Sequence, residues 1–249
     1  MPTINRRQLK NFTDHGYVVL PRIVSPELVA SARSAVADQF AQQPPKAGHR
    51  GPHFYFLLSE LPEQLIAPLY QSRALDLAES FITPGATLEP PDHVQISLNV
   101  PPWDHRPGGP HIDGLTPPEA DGRPGTFTML VGIFLTNQLN KNAGNLWVWP
   151  GSHRGAGRYF AEHGPDSLAS SVPYPPIHLA KPRQVVGSAG DVLIAHYMLG
   201  HNIGGNVSDT VREVLYFRLR RAGHREHWRA AVQDPFYEFE PARSAAAAI

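Results

Sequence analysis

The chain contains no cysteine among its 249 residues. This absence excludes disulfides, zinc-thiolate sites, iron–sulfur clusters and thiol nucleophiles. Any metal must therefore bind through nitrogen and oxygen. The sequence also lacks a run of the ~18 apolar residues that span a bilayer, and no apolar stretch follows the charged residues Arg6, Arg7 and Lys10 to make a secretory signal. We expect a soluble, cytoplasmic protein without a membrane partner.

An excess of charge is missing as well. Lysine and arginine together number 22 and so do aspartate and glutamate, which gives a formal net charge of zero. Without a basic field, nucleic acid is not an expected partner. A chain of this length fits one domain with a substantial core, and its 26 prolines and 21 glycines indicate many turns.

The first third of the sequence is predicted to be rich in helices. Residues 16–20 read as a short strand, and Ser25-Pro26 supplies an N-cap and an N1 proline for a helix that runs to about Phe40. Residues 42–53 read as a loop, which is either solvated or a lid whose basic side chains meet an anionic substrate. Residues 61–82 read as a helical region interrupted at Pro68.

From about residue 93 the pattern changes to short strands separated by Gly, Pro and Asn. This pattern of short strands is typical of an antiparallel sandwich or barrel. The Ala-rich end, 242–249, is expected to be frayed. The predicted strands cover 93–100, 127–135, 145–149, 184–187, 191–197 and 212–220.

His111-Ile112-Asp113 and the distant His201 supply two imidazoles and one carboxylate. These are the ligands of non-haem Fe(II) sites that keep open positions for a co-substrate and O2. On a strand, residues two apart point to the same face, so one extended segment could present His111 and Asp113 to one metal. With 13 histidines in the chain, a single His-x-Asp is common by chance, and the surrounding sequence must support it.

Other histidines compete with His201 as ligands. His196 lies five residues earlier, which places it on the opposite face of a continuous strand. His153 follows Pro-Gly-Ser, where turn stabilisation explains it. We expect neither to bind metal, and His93, His105 and His178 have no context that favours a site.

Four blocks of sequence resemble the phytanoyl-CoA dioxygenase family, in particular its ectoine hydroxylase-like branch. The resemblance implies a double-stranded β-helix of jelly-roll type with helices on its outer face. It also implies Fe(II) held by His111, Asp113 and His201, with 2-oxoglutarate and O2 as co-substrates. The blocks are Asp14–Leu20 with Ser25–Leu28, Asn99–Pro102 with His111-x-Asp113, Asn142–Leu146 with Pro150–Arg154, and Gly190-Asp191 with His196, His201, Asn206 and Arg212.

Arg212 lies inside the apolar run 211–219, where a charge is costly unless it is paired. Its planar guanidinium can bind a carboxylate through two hydrogen bonds. Its distance in sequence from His201 resembles that of the family arginine that binds the distal carboxylate of 2-oxoglutarate. The alternative is an ion pair with Glu213 or another acid, although alternation on a strand turns Glu213 to the opposite face. Gln95 and Asn99 resemble polar positions that touch 2-oxoglutarate, or else they make ordinary hydrogen bonds within the strands.

The chain departs from the family pattern at two positions. Asn202-Ile203 stands where many members have Gly-Ser after the second histidine, so a serine that helps to hold 2-oxoglutarate is missing. Gly132 stands where an aromatic residue often lines the co-substrate pocket. Family members that halogenate have lost the carboxylate ligand and bind chloride in its place. Because Asp113 is retained, the resemblance disfavours halogenation.

The segment 212–229 carries six arginines against two glutamates. A solvated helix or tail is the favoured interpretation. The alternative is that Arg220, Arg221 or Arg225 receives an anionic group of the substrate.

These observations predict one domain, 1–249, with an α-rich part (1–90), a jelly-roll core (91–220) and a C-terminal extension (221–249). The predicted activity is Fe(II)- and 2-oxoglutarate-dependent oxidation of an unactivated C–H bond in a small natural product or amino-acid derivative. Hydroxylation is the default, with desaturation, epimerisation or cyclisation as other outcomes. A cupin-type metal enzyme that does not use 2-oxoglutarate and a catalytically silent binding module are the rivals, and the sequence leaves the oligomeric state open.

Overall fold

Two antiparallel sheets form the centre of the molecule, and together they make the predicted jelly roll. The computed structural model describes residues 4–58, 61–114 and 118–247. Six strands form the main sheet in the order β1-β7-β4-β9-β3-β2, and three form the minor sheet in the order β6-β5-β8. The strands are β1 (Tyr17–Leu20), β2 (Gly51–Leu58), β3 (His93–Val100), β4 (Met129–Phe134), β5 (Leu146–Val148), β6 (Arg183–Gln184), β7 (Val192–His196), β8 (His201–Ile203) and β9 (Arg212–Leu219).

Helices flank the main sheet, and local sequence signals explain where the first two begin. Asn5 caps α1 in a capping box with Gln8, and Ser25 caps α2 ahead of Pro26 at its first turn. No helix in the described part of the chain is long and apolar enough to cross a membrane. The helices are α1 (Arg6–His15), α2 (Pro26–Gln42), α3 (Glu63–Tyr70), α4 (Ala74–Glu79), α5 (Ser152–His163), α6 (His224–Gln233) and α7 (Glu240–Ala247).

Alternation along the strands divides the buried side chains into two layers. On β9, Leu215, Phe217 and Leu219 pack with Phe12 and other residues of the flanking helices. The intervening Val214 and Tyr216 pack on the opposite face with residues of the minor sheet. Period-two patterning thus places the even-numbered positions of β9, from Arg212 to Arg218, in the space between the two sheets.

Several predicted boundaries were wrong. The predicted loop 42–53 ends earlier, because β2 begins at Gly51 and pairs with β3 along its whole length. Pro68 lies inside α3 instead of interrupting it. Burial of Leu65 and Leu69 around it compensates for the missing hydrogen-bond donor. Of the Ala-rich end that was expected to be frayed, residues 242–247 are helical in α7, which packs against α1, and residues 248–249 lie outside the described ranges.

The part predicted as α-rich also contributes to the sheet. Strand β1 pairs with β7 and strand β2 pairs with β3. Two of the six strands of the main sheet therefore come from residues 1–90.

Two buried histidines brace the end of the main sheet near β7. His153 Nε2 lies 3.2 Å from the carbonyl oxygen of Thr13. His196 Nδ1 accepts from the Met198 amide, so its Nε2 donates to the Pro235 carbonyl at 2.7 Å. Burial lowers the pKa of both rings, to about 4 for His196. Both are therefore neutral structural groups.

Because the pKa values of these two histidines are lowered, we expect the folded protein to become less stable in mild acid. An unfolded histidine takes up a proton near pH 6.5, whereas His196 in the folded protein resists protonation until about pH 4. The unfolded state then binds more protons between these values, so the free energy of unfolding falls as the pH drops from about 6.5 to about 4, by roughly 3 kcal/mol for this one group. Urea unfolding at several pH values measures the slope.

Two variants test whether His196 causes this dependence of the free energy of unfolding on pH. His196→Asn removes one of the two buried rings and should make the dependence on pH shallower, even though it lowers stability at pH 7. The exposed His178 is the control, and His178→Gln should keep the wild-type slope. An unchanged slope in His196→Asn would contradict the assignment.

Candidate active site

Main-chain pairing brings the two distant histidines of the predicted metal set together. His111 is not part of a strand but forms a single β-bridge with His201, the first residue of β8. The His111 amide donates to the His201 carbonyl at 2.9 Å. Asp113 follows at a bend, ahead of Gly114 with φ +79°. The extended segment that we expected to present both ligands is thus limited to a bridge at His111.

The three side chains converge on one point. One ligand atom from each of His111, Asp113 and His201 lies within 4.8 Å of the others. The nearest pairs are His111 Nε2 to Asp113 Oδ1 at 3.3 Å and His201 Nε2 to Asp113 Oδ2 at 3.7 Å. His201 Nδ1 lies 2.9 Å from the Leu199 carbonyl and donates to it, which leaves Nε2 free as an acceptor. Two imidazole nitrogens and one carboxylate on one side of a cavity fit a divalent metal such as Fe(II).

The electrostatics of the set keep its carboxylate ionised. Burial alone would raise the pKa of Asp113, but His201, His111 and Arg218 hold it well below its usual range. Burial, with a contribution from His201, lowers the pKa of His111. Burial would also lower the pKa of His201, but the Asp113 carboxylate outweighs it and raises that pKa. An ionised Asp113 is the form that a metal ligand requires.

A cavity of about 260 Å³ opens beside these residues. Arg212 and Gln95, both predicted to contact 2-oxoglutarate, line it together with the three predicted ligands. Asn99 does not line it, because its Nδ2 donates to the Gly204 carbonyl at 2.8 Å within the buried strand layer. The other lining residues are Phe54, Phe56, Ser97, Leu130, Leu146, Asn202, Ile203, Tyr216 and Arg218.

Arg212 is a buried cation whose hydrogen-bond partners are all neutral. It is 2% exposed and donates to Ser97 Oγ at 2.7 Å, Tyr216 Oη at 2.6 Å and Gln138 Oε1 at 3.3 Å. Across the described ranges, no carboxylate forms an ion pair with it. Glu213 faces the other way and pairs with Arg33 at 2.8 Å, so the alternative of an internal ion pair with Glu213 is not realised. A buried charge without a counter-ion is costly until an anion arrives.

Tyr216 is a cavity residue that the sequence reasoning missed. It pairs across the sheet with Gly132, and a Cβ on Gly132 would lie 2.7 Å from Tyr216 Cε1. The ring of Tyr216 therefore occupies the space that a side chain at position 132 would fill, and it gives the cavity an aromatic residue there. The signal was available, because the alternation that turns Arg212 inward also turns Val214, Tyr216 and Arg218 inward.

Arg218 is the second residue that was missed. Its Nη2 and Nε donate to Asp113 Oδ2 at 2.9 and 3.2 Å, and its Nη1 lies 3.1 Å from His93 Nε2. A guanidinium in this position fixes the orientation of the carboxylate and keeps it ionised.

The other arginines of the basic segment do not face the cavity. Arg220 pairs with Asp92 at 2.7 Å and Glu119 at 3.2 Å, and Arg225 pairs with Glu89 at 3.2 Å. Arg221 lies on a bridge to Leu88. None of these three residues lines the cavity, and two of them are already paired with acids, so the structure favours a structural role over the binding of an anionic substrate group.

A sequence model of one known family covers the three predicted ligands and Arg212. The model described as phytanoyl-CoA dioxygenase (PhyH) matches residues 78–214, more than half of the chain. The chain belongs to the phytanoyl-CoA dioxygenase family. Enzymes of this family are non-haem dioxygenases that depend on iron and 2-oxoglutarate and use O2. This protein is thus an enzyme of that class.

Solved structures share the fold of this phytanoyl-CoA dioxygenase family member at low sequence identity. The α-ketoglutarate-dependent carbocyclase SnoK from nogalamycin biosynthesis is 24% identical with a TM-score of 0.60, over 87% of this chain and 83% of its own. HygX from Streptomyces hygroscopicus, with nickel and 2-oxoglutarate bound, is 19% identical with a TM-score of 0.57, over 87% and 86%. EctD from S. alaskensis is 20% identical with a TM-score of 0.62, over 95% and 84%. A sequence comparison with curated proteins finds no match.

Proposed function

We propose that this protein oxidises an unactivated C–H bond of a small molecule, with His111, Asp113 and His201 as the Fe(II) ligands and Arg212 as the anchor of 2-oxoglutarate. Hydroxylation is the default outcome. Relatives of the same fold include a carbocyclase and an epimerase, so cyclisation and epimerisation are compatible with this scaffold, as is desaturation. Because 2-oxoglutarate is a metabolite of the cell interior, we place the enzyme in the cytoplasm.

The observation that supports the proposal most strongly is the unpaired guanidinium of Arg212. It lines the same cavity as the three candidate ligands, and its partners Ser97 and Tyr216 add hydroxyl groups beside it. A dicarboxylate needs one end near the metal and a cation for the other end. A cupin-type enzyme that does not use 2-oxoglutarate would have no need for a buried, unpaired arginine at this position.

The residues around the cavity prepare it for this co-substrate. Arg212 neutralises a carboxylate, and the Tyr216 hydroxyl, which accepts a hydrogen bond from Arg212, keeps its own proton for a carboxylate oxygen. This hydroxyl compensates for the family serine that Ile203 replaces. Leu130, Leu146 and Ile203 form an apolar wall that limits water near the reacting groups.

The metal and O2 supply the oxidising chemistry that the protein's own side chains lack. When bound, Fe(II) with 2-oxoglutarate activates O2 for attack on a C–H bond. The protein holds the ligands in place: the Leu199 carbonyl orients the ring of His201 and Arg218 orients the carboxylate of Asp113. Both contacts fix ligand geometry through neighbouring groups.

Anaerobic titration with Fe(II) and 2-oxoglutarate tests the proposal. We expect a visible charge-transfer band that requires both additions, followed by slow formation of succinate once air is admitted without substrate. Absence of the band in the wild-type protein would contradict the proposal. A band without succinate, with and without candidate substrates, would instead indicate a silent binding module.

A further inference from the structure

We propose that the substrate carries a flat, apolar ring system, is neutral or anionic, and lies against Phe54 and Phe56 at the mouth of the cavity. This inference rests on the proposed function, because it concerns the substrate of the same site. The cavity face of the edge strand β2 and the charges that line the cavity support it.

The register of the main sheet places these phenylalanines on the cavity face. Phe56 pairs with Gln95, which pairs in turn with Tyr216. Phe54 pairs with Ser97 one step along. Since directly paired residues share a face of the sheet, Phe54 and Phe56 continue the inner wall outward to the edge.

Both rings remain open to solvent although they line the cavity. Phe54 is 42% exposed and Phe56 is 49% exposed, and Leu58 on the same face is 65% exposed. Large apolar side chains grouped at an open edge strand favour unwanted pairing and aggregation. Their retention beside an active-site cavity is explained by a ligand that covers them.

A chain of side-chain contacts runs from these two phenylalanines through Arg218 to the predicted metal ligand Asp113. The centroids of Phe54 and Phe56 lie 6.4 Å apart, with the ring planes at 55°. The guanidinium carbon of Arg218 lies 5.7 Å from the centroid of Phe56, and Arg218 contacts Asp113 directly. A ring system packed on Phe56 is therefore held next to the reacting centre.

The charges in the cavity determine which substrates it accepts. Arg212 and Arg218 both line it. Asp113 is the only carboxylate among its described lining residues, and that carboxylate already pairs with Arg218 and is assigned to the metal. Two arginines against one acid leave an excess of one positive charge, and a divalent metal offsets the dianionic 2-oxoglutarate, so a polycationic substrate would meet a net positive charge and no free acid. An apolar body, with or without an anionic group, meets no such barrier.

Fluorescent naphthalene probes test this inference on protein loaded with Ni(II), as a redox-silent metal, and 2-oxoglutarate. We expect 1-anilinonaphthalene-8-sulfonate to bind, and a naphthalene probe bearing a trimethylammonium group to bind at least about tenfold more weakly. Phe54→Ala and Phe56→Ala should each weaken binding of the anionic probe by about tenfold. Leu139→Ala removes a still more exposed apolar side chain that does not line the cavity (62% exposed) and should leave binding unchanged.

A further variant and a separate titration keep the outcomes distinct. Phe56→Leu keeps the apolar character but removes the flat ring, so its affinity should lie between those of the wild type and Phe56→Ala, even if the alanine variant folds poorly. Equal binding by wild type and both Phe variants, or tighter binding of the cationic probe, would overturn the inference. Calorimetry of 2-oxoglutarate on the same samples tests the proposed function separately, since loss of that binding and loss of probe selectivity are independent results.

Discussion

Arg212→Met is expected to weaken 2-oxoglutarate binding by at least about 30-fold, the lower end of the loss when one partner of a buried, hydrogen-bonded charge pair is removed. The guanidinium is 2% exposed and has only neutral partners, so an arriving carboxylate would be its counter-ion. Methionine fills a similar volume without charge. Calorimetry with metal-loaded protein measures the affinity.

The same variant separates a ligand-binding role from a structural one. A structural ion pair would leave a stranded acid when the arginine is removed, at a cost of several kcal/mol. No such acid pairs with Arg212 in the part of the chain that the structure describes, so Arg212→Met should melt close to the wild type. Tyr216→Phe is the matched control, because it keeps the guanidinium and should lose less affinity. A large fall in melting temperature with unchanged affinity would contradict the assignment.

Much of the fold could be predicted because the strands that form the cavity carry strong local patterns. The predicted run 93–100 coincides with β3, and 212–220 differs from β9 by one residue. Strand β8 has only three residues, too few for any periodicity to be visible. Strand β2 begins with Gly51-Pro52, which reads as a turn, and its pairing with β3 is a long-range interaction that local sequence does not encode.

The candidate site shows the same division between local chemistry and long-range packing. The types and spacing of His111, Asp113 and His201 predicted a metal set, and the structure brings their ligand atoms together. Apolar surroundings predicted that Arg212 is buried. By contrast, the contact of Arg218 with Asp113 joins residues 105 positions apart. Alternation could place Arg218 in the interior, but only the folded chain shows which carboxylate it reaches.

Asp113→Asn is expected to reduce Fe(II)-dependent succinate formation by more than about 100-fold, the upper end of what the loss of an outer partner of a ligand costs. The substitution replaces the one anionic ligand of the set by a neutral amide. Fe(II) affinity, measured by competition with a coloured chelator, should fall with it.

Arg218→Gln is the control that shows whether Asp113 acts as a metal ligand or only as the ion-pair partner of Arg218. If Asp113 binds the metal, then removing Arg218 only loosens the carboxylate and should cost about 10- to 100-fold. If Asp113 served only as the ion-pair partner of Arg218, breaking the pair from either side would have the same effect, and the double variant would be no worse than either single one. A much larger effect of Asp113→Asn than of Arg218→Gln therefore assigns the carboxylate to the metal, and equal effects would assign it to the arginine.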